Sequence, residues 1–173
     1  HSWDEAFGYI FGTARNLGDP VAEIGKSDSF LNEQIGLVDS DPDFAGVANG
    51  IFQALITGRE AIIDEDFDTL DQQIGFLRTS ISQVVAVRAI FHIQQGKSIL
   101  SDINNEPTAA FHDLSKGYGL IHGLEFALDE NGTPLFSEEE VGDFLVSLSG
   151  GNENNDGFWE ARDNLQILDE ISD

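Results

Sequence analysis

Apolar residues along the chain recur at helical spacing, and period-two alternation is sustained nowhere. The opening HSWDEAFGYIFG sets Trp3, Phe7, Tyr9 and Phe11 on a short helix over residues 3–16, which Gly18-Asp19-Pro20 ends. The stretch 21–41 is rich in Gly, Asp and Ser and is expected to be weakly structured. Phe44, Val47, Ile51, Leu55 and Ile62 then predict a helix over 43–62, and Asp66 or Asp68 caps the next one. Leu70, Ile74, Leu77, Ile81 and Val84 keep a 4-3-4-3 rhythm there. Residues 85–93 follow, apolar on most sides as in a central buried helix, with a stop near Gly96.

Asn104-Asn105-Glu106-Pro107 opens another helix, ending by Asp129. Asp129 to Pro134 is a turn. It is not an EF-hand loop, because Pro134 falls where that loop needs glycine. Ser137 with Glu140 forms a capping box for a helix to Leu148, Gly150 to Asp156 is a polar loop, and a last helical piece carries Phe158, Trp159, Leu165, Ile167, Leu168 and Ile171. The expected fold is all-α: a bundle of four to five main helices in a single domain over 1–173.

Gly8 and Gly12 are unexpected in a helix interior, where each costs about 1 kcal/mol relative to alanine. Shifted by 111 residues, the opening stretch falls on HDLSKGYGLIHG, matching His1 to His112, Gly8 to Gly119, Ile10 to Ile121 and Gly12 to Gly123. An internal duplication with pseudo-twofold symmetry, its Gly-x-x-x-Gly faces crossing closely, would account for the echo. Alternatively each glycine pair admits a bulky neighbour such as Trp159 or Phe91.

Composition narrows the function classes. Eight Lys and Arg stand against thirty-two Asp and Glu, a net charge of −24 spread along the chain, which repels phosphate backbones and argues against nucleic-acid binding. Cysteine is absent, so no disulfide or thiolate site exists. No apolar run approaches the ~20 residues of a membrane helix. The chain begins at His1 without methionine, so a signal peptide or lipid anchor would lie upstream.

His122 and Glu125 form an H-x-x-E pair, which places an imidazole and a carboxylate on one helix face, as in metal sites inside bundles. They are either ligands to a divalent metal or a structural hydrogen-bonded pair. Asp4 and Glu5, beside His1, are further candidate ligands from a partner helix, and Arg59 is a candidate ion-pair partner of Asp4 or Glu125. His92, among apolar neighbours, is expected to be a satisfied core histidine. No nucleophile elbow, P-loop, H-E-x-x-H or dinucleotide fingerprint is present, and no catalytic residue is assigned.

Trp3-Asp4-Glu5-Ala6-Phe7-Gly8-Tyr9, Gly58-Arg59-Glu60-Ala61-Ile62, Ala89-Ile90-Phe91-His92, Gly157-Phe158-Trp159 and Leu168-Asp169-Glu170-Ile171-Ser172 together resemble an uncharacterised family of Bacteroidetes envelope lipoproteins. More distantly the chain is similar to the imelysin-like proteins, whose signature is Gly-x-His-x-x-Glu. His122 and Glu125 match it, whereas Leu120 stands where the glycine would be. The resemblance implies a helical, duplicated, periplasmic or cell-surface protein that binds iron or zinc. The expected function is thus an extracytoplasmic binding or accessory protein. The alternatives are a metal-free interaction subunit of a cell-surface assembly with a protein partner, and an imelysin-like peptidase.

Overall fold

In the computed structural model the described residues are 1–16, 18–102, 104–150 and 157–173. Among them the chain forms eight α-helices and no strand: α1 (Ser2–Phe11), α2 (Leu31–Asp39), α3 (Val47–Asp64), α4 (Phe67–Leu100), α5 (Pro107–Gly123), α6 (Glu138–Ser149), α7 (Trp159–Asp163) and α8 (Gln166–Ser172). The all-α class stands as expected, but eight helices replace the expected four to five. One addition is α2, inside the stretch expected to be weakly structured. Asn32, Ile35 and Val38 bury a single narrow face there, which the surrounding Gly, Asp and Ser conceal. The other is the break of the C-terminal piece at Asn164, whose extended backbone separates α7 from α8. Most of the polar loop expected at Gly150 to Asp156 lies outside the described residues.

The chain divides into two compact units, one of His1–Val84 with Leu128–Thr133, the other of Val85–Ala127 with Pro134–Asp173. In the first, the opening motif finds its purpose. The indole of Trp3 lies across Gly58 and donates its N–H to the Leu55 carbonyl at 2.8 Å. A Cβ at Gly58 would sit 2.1 Å from the ring. Phe11 is fully buried and packs edge-on against Phe52 at 5.5 Å between centroids. The buried Asn32 donates to the Ile10 carbonyl at 2.9 Å and accepts from the Gly25 N–H at 2.8 Å, tying α1, a loop and α2 together. Ser82 binds the backbone of Leu128, accepting from its N–H at 2.9 Å and donating to its carbonyl at 3.2 Å.

In the second unit α4 does not stop at Gly96. It runs on to Leu100, because the missing side chain at Gly96 is a notch for Leu114 of α5, which a Cβ would meet at 2.6 Å. Gly117 of α5 returns the contact by receiving Ile93 of α4, which a Cβ there would meet at 2.7 Å. Residues 85–93 are not buried on most sides as expected: Ala89 and Ile93 enter the core, while Ile90 and Phe91 are about half exposed. Length and composition alone would let α4 cross a membrane. The capping box opens α6 as expected, Ser137 accepting from the Glu140 N–H. Ion pairing of Lys97 with Asp169, and a 2.9 Å bond from the Gln94 amide to the Ser172 hydroxyl, hold α8 to α4.

The echoed glycines do not make close crossings. A Cβ at Gly8 or Gly119 would meet nothing within 4 Å, and one at Gly123 would reach Val85 only at ordinary contact distance, 3.5 Å. Gly12 is crowded by its own turn, at the Gly8 carbonyl. Neither Trp159 nor Phe91 abuts these positions. Glycines outside the echo do admit neighbours: Gly58, Gly96 and Gly117 receive side chains, Gly50 receives the Phe76 ring, and Gly36 lies against the backbone of Gly25.

Gly8→Ala and Gly119→Ala should therefore each raise stability, by up to about 1 kcal/mol from helix propensity alone. Gly58→Ala should lower it by about 1–3 kcal/mol, because the indole is fixed by its hydrogen bond and cannot retreat freely. Urea unfolding of the three variants beside the parent chain checks the signs. Destabilisation by Gly8→Ala would restore a crossing at that face.

Candidate functional site

His122 occupies the last turn of α5 and Glu125 the 3-10 turn Leu124–Phe126 that follows it. Ile121 and Leu124, beside them in sequence, are buried in the core, which fixes the two polar side chains on the opposite, outward face. His122 Nδ1 stands 3.8 Å from Glu125 Oε2, with the side chains 56% and 30% exposed. That separation is an ion-pair contact without a hydrogen bond. Water solvates the pair, and no burial penalty has to be offset.

Asp4 and Glu5 lie in the first turn of α1, where carboxylates complement the exposed N–H groups of the helix start. Asp4 Oδ1 pairs with Arg59 Nε at 3.3 Å, and Glu5 Oε1 with His1 Nδ1 at 3.0 Å, all on the surface. Arg59 thus partners Asp4 and not Glu125. The structure brings His122 to Glu125, and Asp4 to Arg59, within separate units. Among the described residues no group of three or more His, Asp or Glu side chains gathers as a metal cage. His122 and Glu125 could supply two ligands of an exposed, half-open site.

The better-built polar constellation lies elsewhere in the second unit. His92 and Arg88, one turn apart on α4, are only 5% and 7% exposed. His92 Nδ1 lies 2.9 Å from Asp113 Oδ1 of α5, and Arg88 Nη2 lies 3.1 Å from His92 Nε2. A guanidinium only donates, so Nε2 accepts and Nδ1–H donates to the carboxylate, which fixes the neutral imidazole in one tautomer. Arg88 also stacks over Phe91 at 4.3 Å. Burial holds the His92 pKa below its usual value; the Asp113 hydrogen bond opposes this, and the charges of Arg88 and Lys116 reinforce it. His92 is the satisfied core histidine expected from its neighbours. Its partner Asp113 was not foreseen, and the one signal in the sequence is the i,i+4 placement of Arg88 and His92 inside an apolar run.

Chemically this triad orients and neutralises; no nucleophile abuts it among the contacts described. Its folded pKa lies below the unfolded value of about 6.5, so the unfolded chain takes up the proton first. Stability held by neutral His92 is complete above that value and is lost as pH falls through it toward the folded pKa. Between about pH 7.5 and about pH 5.5, urea unfolding should show a loss of stability that His92→Gln flattens. Asp113→Ala, leaving a buried N–H without its acceptor, should cost about 1–3 kcal/mol at neutral pH.

No curated protein and no solved structure matches the chain. A family model does, over residues 1–173, and its description is a domain of unknown function. That match spans every element described above, so the chain belongs to the uncharacterised domain family DUF4856.

Proposed function

We propose that this chain is a non-catalytic helical binding module of an extracytoplasmic protein, acting through protein contacts. The observation that carries this reading is the set of large apolar side chains the second unit leaves in water. Trp159 on α7 is 48% exposed, with Phe126, Leu135 and Val146 also on the surface. Trp159 is pre-oriented for contact, its ring held edge-on to Phe111 at 4.9 Å, with the Arg162 guanidinium 5.1 Å from its centroid. A rigid aromatic with a cation beside it is the residue type that anchors protein interfaces. The titratable groups of the buried triad, by contrast, are spent on one another. Extracytoplasmic placement is supported by the resemblance to envelope lipoproteins.

The photo-crosslinking amino acid p-benzoylphenylalanine, placed at position 159 and separately at the exposed Glu106, tests this in the native cell. A discrete adduct from position 159 and none from 106 is expected; no adduct from either position would remove the reading.

A second reading has its own observation: the outward His122 and Glu125 side chains at 3.8 Å, matching part of the imelysin-like signature. Under it the pair binds a divalent metal, iron or zinc, with water or a partner completing the shell. Calorimetric titration of the chelator-treated chain with ferrous and zinc ions should then give binding that weakens at least tenfold in His122→Ala. His122 is exposed, so the variant folds, and unchanged affinity would exclude the site.

A further inference from the structure

Two adjoining cavities in the second unit differ in chemistry and share a wall. The first, of about 510 Å³, runs between α6 and α8 with α7 at one side. Phe144, Val146, Ile167 and Ile171 provide its apolar surface, and Asp143, Glu160 and Glu170 its charges; among the described residues no cationic side chain lines it. The second, of about 220 Å³, is almost wholly apolar, lined by residues such as Ile90, Ile93, Ile121 and Phe136. Phe144 and Ile171 belong to both. The result is a trough with three carboxylates along one part and a deeper apolar recess at the other.

Helical periodicity explains the arrangement. On α6, Asp143 and Ser147 are one turn apart, as are Ile167 and Ile171 on α8, so each helix turns a single face to the trough. Leu148 and Leu168, fully buried, fix those faces from below. Val146, 53% exposed, is an apolar residue on a rim where a solvated helix would carry a polar one.

We infer that the trough between α6 and α8 docks a basic amphipathic helix of a partner protein. A bulky apolar side chain of that helix enters the recess beside Ile93 and Phe136. Further apolar side chains one turn apart cover Phe144, Val146, Ile167 and Ile171, and Lys or Arg on the flanks meet Asp143 and Glu170. Charge complementarity selects this occupant. A second copy of the chain carries the same net charge of −24 and would set like charges together. An apolar helix without cations would leave Asp143 and Glu170 facing a low-dielectric contact. The inference rests on the binding-module function and deepens it by naming the partner's chemistry.

The test uses the full chain and a fluorescein-labelled 18-residue Leu/Lys peptide patterned as an amphipathic helix, followed by anisotropy. Saturable binding is expected, weakening as salt rises. A peptide of identical composition with its helical periodicity scrambled should bind at least tenfold more weakly. Val146→Asp, and the pair Asp143→Lys with Glu170→Lys, should each reduce affinity at least tenfold. Circular dichroism should show both variants folded, since all three side chains are exposed. The charge-reversed variant should in turn accept the same peptide with Glu in place of Lys, a gain that loss of folding could not produce. Asp68→Lys with Asp71→Lys, in the other unit, should leave affinity unchanged.

Equal binding of the scrambled peptide, or undiminished binding by the trough variants, would overturn the inference. So would a dimer in sedimentation that Val146→Asp dissociates and that takes no peptide, since a second copy would then own the trough. Peptide failure with a retained adduct at position 159 would remove this partner class and leave the binding-module function standing.

Discussion

The second unit depends on a reciprocal notch between α4 and α5. Gly96 of α4 receives Leu114, and Gly117 of α5 receives Ile93, so each helix supplies both a missing side chain and the side chain that fills its neighbour's gap. Backbones brought that close leave no room for an unpaired polar group, and Asp113, adjacent to Leu114, meets His92, adjacent to Ile93. Packing and polar pairing therefore share one register. Sliding α5 along α4 by a turn would lose the two notches and strand a buried imidazole, each at a cost of kilocalories. Arg88 then has a fixed acceptor at Nε2, and the apolar residues on the far side of α4 face α8 with Lys97 and Gln94 to hold it.

A chain carrying a net charge of −24 must keep its carboxylates from opposing the fold. Some of them are spent on local hydrogen bonds, to hydroxyls and backbone N–H groups alike. Asp66 accepts from Thr69, Asp102 from Asn104, Asp129 from Thr133 and Glu140 from Ser137, and these bonds hold each carboxyl below its ordinary range. Each such group favours the folded chain above its unfolded pKa and ceases to do so as pH falls through the folded one. These acids are thus helix caps and turn formers.

Much of the fold was legible because helix signals are local. The capping box at Ser137, the Asp66 cap and the proline start of α5 are read from a few neighbouring residues, and all three stand. α2 was hidden because its buried face is only Asn32, Ile35 and Val38, one of them polar. Gly96 read as a stop because a sequence shows a missing side chain without showing what fills the gap. The same ambiguity explains Gly8 and Gly12, whose spacing repeats at Gly119 and Gly123 while glycines that do receive neighbours, such as Gly36, Gly50, Gly58, Gly96 and Gly117, follow no such repeat. At the site, i,i+3 spacing was enough to bring His122 to Glu125. Asp113 could not be found for His92, because their separation of 21 residues is set by the tertiary crossing.

Where chemistry could sit and where it is built differ in this chain. His122 and Glu125 hold motif residues on an outward face, 3.8 Å apart and without a hydrogen bond between them. The buried triad has the constraint but turns inward, each member saturating the next. Between them lies surface that is neither: Trp159 locked by Phe111 and Arg162, and a trough whose apolar floor continues the core through Phe144 and Ile171. Pre-organised side chains lose little entropy on association, and apolar surface left in water gains most from being covered. Rigidity and unmet hydrophobicity coincide on α6, α7 and α8, which is what supports the proposal of recognition on that face, while the triad ties α4 to α5 within the same unit.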